Sequence, residues 1–139
     1  MHSTKVNILY MIFYFSGTGN SKWIAREVAA YQHEKIISIA DEMVGLNNTL
    51  QYTLAEGEII GFVFPVYSWA PPAIVLEFIK MISFTNYRDH YPFFICSCGD
   101  EAGLTLQIMQ KAVCGKEWKW KAGFSVIMPN NYVSLPGFD

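Results

Sequence analysis

Apolar segments without helical spacing alternate along the chain with segments that have it, and this alternation is the strongest constraint on the fold. Runs such as IIGFVFPV and PFFICSC are apolar at almost every position, which is typical of strands buried on both faces of a sheet. Strands and helices in turn predict an α/β fold with a parallel sheet covered by helices on both faces. The predicted strands are 7–15, 35–39, 58–66, 92–98 and 122–128.

The segments between these strands predict helices with one apolar face each. The sequence of residues 41–50 is compatible with one helical turn or with a loop, because Gly45 and Asn47–Asn48 would break a longer helix. The predicted faces are Ile24, Val28 and Tyr31 in residues 21–32, then Ile74, Val75, Phe78, Ile79 and Ile82 after Pro71–Pro72, then Leu104, Ile108 and Ala112 in residues 103–113.

Length and composition limit the class of protein. A chain of 139 residues with 52% hydrophobic and 16% charged residues predicts one folded domain. The net charge of −2 argues against nucleic acid as a partner, and no apolar run reaches the ~18 residues of a membrane span. Three cysteines predict a reduced, cytoplasmic chain. Met11 is an alternative start, which would make residues 1–10 an N-terminal extension.

The first loop to examine is Ser16–Ser21, because ligands of such folds bind beyond the carboxyl ends of the strands. Its glycines and hydroxyl residues can surround a small anion, and the following helix adds its positive N-terminal end. Its spacing matches neither a nucleotide P-loop nor a dinucleotide turn. The loop therefore predicts a cradle for a phosphate monoester, with an ordinary Gly-rich turn capped by Asn20 or Ser21 as the alternative.

Two further loops would lie at the same edge. Tyr67 and Trp69, next to two prolines, could offer a flat face to a planar heterocycle or simply cover the rim of the core. The loop at 96–103 is small and polar and could reach the edge of such a ring. We expect Cys96 in the core and Cys98 near the ligand, with no metal site, and a structural role for Cys114 after the helix.

Three segments together carry a resemblance to a known family. Residues 13–27 (FYFSGTGNSKWIARE) contain the pattern [ST]-x-[ST]-G-N-[ST], and Gly61–Pro72 (GFVFPVYSWAPP) holds the aromatic loop. With Cys96–Gly103 and Met128–Tyr132, they resemble flavodoxin-like FMN-binding domains, most of all the flavodoxin domain of bacterial flavodoxin–ferredoxin fusion proteins. The resemblance covers essentially residues 1–139 and implies a doubly wound five-stranded parallel sheet of order 2-1-3-4-5.

The resemblance also implies a set of cofactor-binding residues, with FMN lying across strands one, three and four. It implies no catalytic residue and no metal ligand. The phosphate would be held by Ser16, Thr18, Asn20 and Ser21 and by the backbone of Gly17 and Gly19. The isoalloxazine ring would be bordered by Pro65, Val66, Tyr67, Ser68, Trp69 and Ala70, its pyrimidine side by Cys98, Gly99 and Asp100, with Met128–Tyr132 as a further wall.

The sequence departs from a typical flavodoxin in two of its loops. The second loop lacks the glycine whose peptide turns over when flavin N5 takes a proton. If Ala70 takes the positive φ needed there, that conformation costs about 1–2 kcal/mol and weakens the bond to N5. The third loop lacks an aromatic residue, which would leave the outer face of the ring open to a partner or substrate.

The sequence also departs from the family after the fifth strand. Only residues 130–139 remain there, so the closing C-terminal helix is expected to be missing. This predicts an apolar strip beside Ile24, Val28 and Tyr31 that a partner subunit, as in a homodimer, or further sequence would cover. The cysteine-rich ferredoxin segment of the fusion proteins is absent, so we expect no iron–sulfur cluster in this chain.

Three functions follow from this sequence. The first is an FMN-binding electron-transfer domain that exchanges electrons with a redox protein or a ferredoxin-type domain. The second is an FMN-dependent NAD(P)H or quinone oxidoreductase, whose open ring face would admit substrate. The third is a non-redox binding module that keeps the fold without the cofactor.

Overall fold

A computed structural model of the protein describes residues 9–16, 19–29, 35–44, 50–67, 69–88, 90, 92–98, 103–116, 118–119 and 122–127. The five strands predicted from the apolar runs alternate with helices, and two further short strands lie between them. The strands are β1 (Tyr10–Tyr14), β2 (Lys35–Ser38), β3 (Leu50–Thr53), β4 (Ile59–Pro65), β5 (Ile82–Thr85), β6 (Pro92–Cys98) and β7 (Ala122–Ile127), and the helices are α1 (Asn20–Ala29), α2 (Ile39–Met43), α3 (Ala73–Met81) and α4 (Thr105–Gly115).

The main sheet has five parallel strands in the order β2-β1-β4-β6-β7. Since these are the first to fifth strands predicted from the apolar runs, the expected order 2-1-3-4-5 is confirmed. The chain leaves β1 toward β2 and leaves β4 in the opposite direction toward β6. The order of the strands therefore reverses between β1 and β4, and a crevice is expected at the carboxyl ends of these two strands.

Alternate residues of the strands enter two apolar layers, one on each face of the sheet. On the face of α3 and α4, the ring of Phe62 stacks with those of Phe13 and Phe94, with ring centroids 5.2 and 5.1 Å apart. On the other face, Val63 packs with Ile24 of α1 in a smaller cluster. The sheet is thus buried on both faces at its centre, which explains why its strands are apolar throughout.

A second, two-stranded parallel sheet pairs β3 with β5, and the sequence did not predict it. Its strands are joined partly through hydroxyl groups: Thr85 Oγ1 lies 2.8 Å from Thr53 Oγ1, and Ser83 donates to the Leu50 carbonyl. Tyr52 donates to the carboxylate of Glu42, and burial followed by this hydrogen bond raises the pKa of the Tyr52 phenol.

Two local expectations for α4 are wrong. The helix buries Thr105, Met109 and Val113, whereas Leu104 is 64% exposed. The helix is rotated by about one residue from the predicted face, because apolar residues occur on both sides of that stripe. Cys114 lies in the last turn of α4 rather than after it, and its exposed side chain contributes nothing to the core.

Strand β7 forms one edge of the main sheet and exposes large apolar side chains. Phe124 is 54% and Ile127 is 69% exposed. Phe124 shares a face of the strand with Val126, which packs against the α1 cluster. Tyr31, Met128–Tyr132 and the expected absence of a closing helix lie outside the described residues. Among the described helices, none is long and apolar enough to cross a membrane.

Candidate functional site

The turn between β1 and α1 lies at the reversal point of the sheet. The hydroxyl of Ser16 accepts a hydrogen bond of 2.8 Å from the N–H of Gly19, which closes the turn before the helix begins. Gly19 has a φ of 101°, a conformation that L side chains rarely adopt, and its carbonyl accepts the N–H of Trp23 in the first turn of α1. Gly19 therefore precedes the helix, where the sequence had suggested Asn20 or Ser21 as the cap.

The electrostatics of this turn favour an anion. The first turn of α1 contains no acidic residue, and the N–H groups at a helix N-terminus lack partners within the helix. No side chain within Ser16–Ser21 carries a charge, and Lys22 follows directly in the first turn of α1. Apart from its chain neighbours, no atom of the described residues lies within 4 Å of the position that a Cβ on Gly19 would take.

Ser21 connects the turn to a strand two positions away in the sheet. Its side chain is 1% exposed, and its hydroxyl oxygen lies 3.3 Å from that of Ser97, which is 5% exposed. Ser97 belongs to β6, where its carbonyl accepts the N–H of Val66 at 2.9 Å. Ser97 is not among the site residues predicted from the sequence. The one sequence feature that could have indicated Ser97 is a hydroxyl side chain within an otherwise apolar strand.

The loop after β4 folds into a tight turn that presents two aromatic rings. Tyr67 and Ala70 exchange two backbone hydrogen bonds of 2.7 and 2.9 Å, and Trp69 between them has a φ of 63°. The positive φ therefore belongs to Trp69 and not to Ala70, because Trp69 occupies the third position of the turn. Tyr67 is 46% and Trp69 is 64% exposed. The rings thus do not serve only to seal the core.

Two contacts bring the loops at this edge together. The ring of Tyr67 packs edge-on against that of Phe15 at the end of β1, with centroids 6.2 Å apart. The Trp69 carbonyl accepts the N–H of Leu104 at 3.3 Å, and a Cβ on Gly103 would lie 2.6 Å from that of Trp69. The aromatic loop is therefore packed between the end of β1 and the start of α4.

The loop after β6 is described only at its two ends. Cys96 is fully buried, as expected, and burial followed by the neighbouring Cys98 raises the pKa of its thiol to about 11. Cys98 is 8% exposed, with its Sγ 3.8 Å from the Val126 carbonyl. Among the described residues no group of three His, Cys, Asp or Glu side chains could hold a metal ion.

The structure places the described part of the predicted site along one edge of the sheet. Ser16, Gly19, Asn20 and Ser21 lie at the end of β1 or the start of α1, and Pro65, Val66, Tyr67, Trp69 and Ala70 lie at the end of β4 or in its loop. Cys98 ends β6. The remaining predicted residues lie outside the described part of the chain, and they are Gly17, Thr18, Ser68, Gly99 and Asp100.

Comparison with solved structures identifies the fold. No protein-family model matches the sequence, and no curated protein matches it significantly. A candidate flavoprotein of Bacteroides uniformis ATCC 8492 matches with a TM-score of 0.64 and 16% identity, over 91% of this chain and 95% of that one. The flavodoxin of Streptococcus pneumoniae TIGR4 matches with a TM-score of 0.60 and 15% identity, over 88% and 87% of the two chains.

A third match has the same architecture. The Trp repressor binding protein of Bacillus subtilis aligns over 88% of each chain, with a TM-score of 0.58 and 11% identity. Identities in this range show a shared fold and nothing finer. The chain therefore has a flavodoxin-like fold.

Proposed function

We propose that this chain binds FMN at the carboxyl edge of its main sheet and acts as an electron-transfer protein. The observation that carries the proposal is one arrangement: an uncharged turn at a helix N-terminus, with two exposed aromatic rings on the neighbouring loop. The names of two structural neighbours, a flavodoxin and a candidate flavoprotein, support a flavin as the ligand.

The turn fits a terminal phosphate. In the proposed complex Ser16, Thr18, Asn20 and Ser21 donate to phosphate oxygens, together with the backbone N–H of Gly17. The Gly19 N–H, which donates to Ser16 Oγ in this structure, exchanges that acceptor for the phosphate. Anions are stabilised at such a position because unpaired N–H groups and the helix dipole converge on it. No acidic side chain in the first turn of α1 opposes the charge of the phosphate.

The aromatic loop fits the ring of the cofactor. Tyr67 and Trp69 would stack on or border the isoalloxazine, with Pro65, Val66, Ser68 and Ala70 completing that wall. Cys98, Gly99 and Asp100 would face its pyrimidine side. Thr105 begins α4 beside this loop, and its buried hydroxyl has no hydrogen-bond partner among the described residues. An orphaned donor of this kind supports a polar ligand or water nearby, such as the dione edge of a flavin.

In this proposal the residues of the chain bind FMN and orient it. FMN, when bound, supplies the capacity to take up and release electrons, which ordinary side chains lack. The Ser16–Ser21 turn fixes the phosphate, and the packing of Trp69 against Gly103 fixes the aromatic loop. Tyr67 and Trp69 exclude water from the ring face that they cover. No side chain has to act as a general acid or base.

The proposed partner is a redox protein or a ferredoxin-type domain, as the resemblance to the flavodoxin–ferredoxin fusion proteins implies. A second copy of this chain is a further proposed partner, through the sheet face beside α1. The exposure of Phe124 on that face supports an apolar contact. Sedimentation of the full chain tests the homodimer, and a monomer at micromolar concentration would contradict it.

One observation favours a second candidate function, an FMN-dependent NAD(P)H or quinone oxidoreductase. The third loop, Cys98–Gly103, contains no aromatic residue, so it offers nothing to stack on the second face of the ring. That face could admit a planar substrate. Mixing the FMN-loaded protein with NADH or NADPH separates the two functions, because a carrier should leave the nicotinamide unoxidised.

The direct test is a visible spectrum after gel filtration of the protein incubated with FMN. We expect flavin absorbance to travel with the protein, and we expect FMN fluorescence to change on titration. A protein that elutes colourless and leaves FMN fluorescence unchanged would contradict the proposal. That result would favour a non-redox binding module on the same fold.

A further inference from the structure

Ser97 is a buried hydroxyl group that the proposed binding site does not yet explain. It lies at the penultimate position of β6, and its backbone is fixed by pairing with Pro65 of β4 and Val126 of β7. Its side chain, 5% exposed, points at the first turn of α1 and contacts the hydroxyl of Ser21 at 3.3 Å. A rigid strand thus contacts the last residue of the proposed phosphate turn.

One of the two hydroxyl protons of this pair is not used in the hydrogen bond between them. Each hydroxyl carries one proton, and the single hydrogen bond between the two oxygens uses only one of them. The described residues offer neither Ser21 nor Ser97 any other side-chain hydrogen bond. If Ser97 donates, the remaining proton is on Ser21, in the first turn of α1. A buried donor needs an acceptor there, and a phosphate oxygen is an acceptor only.

We propose that Ser97 is a positioning residue that donates to Ser21 Oγ and thereby turns the Ser21 O–H toward a phosphate group bound at the Ser16–Ser21 turn. The inference rests on the proposed FMN site. Ser97 does not contact the phosphate, so it acts only through Ser21. It also links the turn to β6, the strand that leads into the loop assigned to the ring.

This role predicts an effect on the phosphate and not on the ring. Losing Ser97 frees Ser21 to rotate and to donate to another oxygen, so FMN affinity should fall roughly tenfold, the size of one hydrogen bond to a charged group. Riboflavin has the same ring without the phosphate, so its affinity should change less than about twofold. A general loss of structure would weaken both ligands equally.

The test is fluorescence titration of the full chain with FMN and with riboflavin. The variants are Ser97→Ala, Ser97→Cys, which nearly keeps the volume, and Ser97→Thr, which keeps the hydroxyl. Ser125→Ala on the neighbouring strand is the matched control, because Ser125 is exposed and pairs with Cys96. We expect Ser97→Ala and Ser97→Cys to lose FMN affinity selectively, and Ser97→Thr and Ser125→Ala to retain it.

A double-mutant cycle with Ser21→Ala separates positioning from direct contact. If Ser97 acts through Ser21, the double variant should bind FMN no more weakly than Ser21→Ala alone. Additive losses, equal losses of FMN and riboflavin, or unchanged FMN binding in both Ser97→Ala and Ser97→Cys would overturn the inference while leaving the FMN site standing. A wild-type protein with no preference for FMN over riboflavin would instead overturn the phosphate site itself, and the inference with it.

Discussion

The two ends of the candidate site are built on different principles. The turn at Ser16–Ser21 is small, uncharged and tied to the sheet through the buried contact of Ser21 with Ser97. The aromatic loop is a tight turn with large, exposed side chains. It holds Trp69 at a positive φ and packs closely against Gly103. In the proposed FMN complex, the first end recognises the phosphate by donated hydrogen bonds, and the second recognises the ring by a flat apolar surface. Substitutions at the two ends should therefore differ in their effects on FMN affinity, on riboflavin affinity and on the free energy of unfolding.

The largest expected effect is on stability, at the contact that supports the aromatic loop. Gly103→Ala would place a Cβ 2.6 Å from that of Trp69 and force a side chain onto a φ of 60°. We expect a loss of about 2–4 kcal/mol in the free energy of unfolding, from backbone strain plus overpacking. Urea denaturation measures it.

Gly57→Ala is the control for that measurement. Gly57 has a φ of 73°, and apart from its chain neighbours no atom of the described part of the chain lies within 4 Å of its Cβ position, so only the backbone strain should appear. Equal losses in Gly103→Ala and Gly57→Ala would show that the aromatic loop does not pack on the start of α4.

The next effect concerns the phosphate end. Thr18→Val removes a hydroxyl from the proposed cradle while nearly keeping its volume. We expect FMN affinity to fall roughly tenfold to a hundredfold, because hydrogen bonds to charged groups contribute about 1.5–3 kcal/mol. Riboflavin affinity should stay unchanged. Parallel titrations measure both, and equal loss for the two ligands would mean that the turn does not hold a phosphate.

The ring end should give the opposite pattern. Tyr67→Ala and Trp69→Ala each remove a face on which the ring can stack, which contributes about 0.5–1.5 kcal/mol beyond burial. FMN and riboflavin should lose affinity to the same extent, up to roughly tenfold. Exposed Leu104→Ala, outside the aromatic pair, serves as the control. A loss restricted to FMN would place the ring elsewhere.

The smallest effect isolates the backbone of the aromatic loop. Both Trp69→Gly and Trp69→Ala remove the indole, but only glycine adopts a φ of 63° without strain. We expect the glycine variant to be more stable than the alanine variant by about 1 kcal/mol in urea denaturation. An alanine variant of equal or greater stability would show that residue 69 does not hold this conformation.

The main sheet could be predicted from the sequence because burial on both faces makes its strands continuously apolar. β5 could not, since Ile82 continues the spacing of Phe78 and Ile79 in α3 and looks like one more helical turn. Residues 82–85 form a strand because they pair with Leu50–Thr53, more than thirty positions earlier in the chain. A local sequence pattern does not reveal such a pairing. The small sheet was therefore missed for a physical reason, namely its non-local pairing.

The same contrast applies to the site. Ser16, Gly19 and Ser21 are close in the sequence, and they lie together where β1 ends and α1 begins. The sequence offers Ala70 as one candidate for a positive φ, whereas the structure has it at Trp69, because the register of a tight turn depends on which residues exchange backbone hydrogen bonds. Ser97 was missed because its partner, Ser21, lies 76 residues away in the sequence.

The most direct test of the site is a crystal structure of the protein with FMN bound. We predict a phosphate enclosed by the Ser16–Ser21 turn and an isoalloxazine ring in contact with Tyr67 or Trp69 in the same molecule. A turn left empty or closed over itself, with the flavin bound elsewhere, would contradict the account.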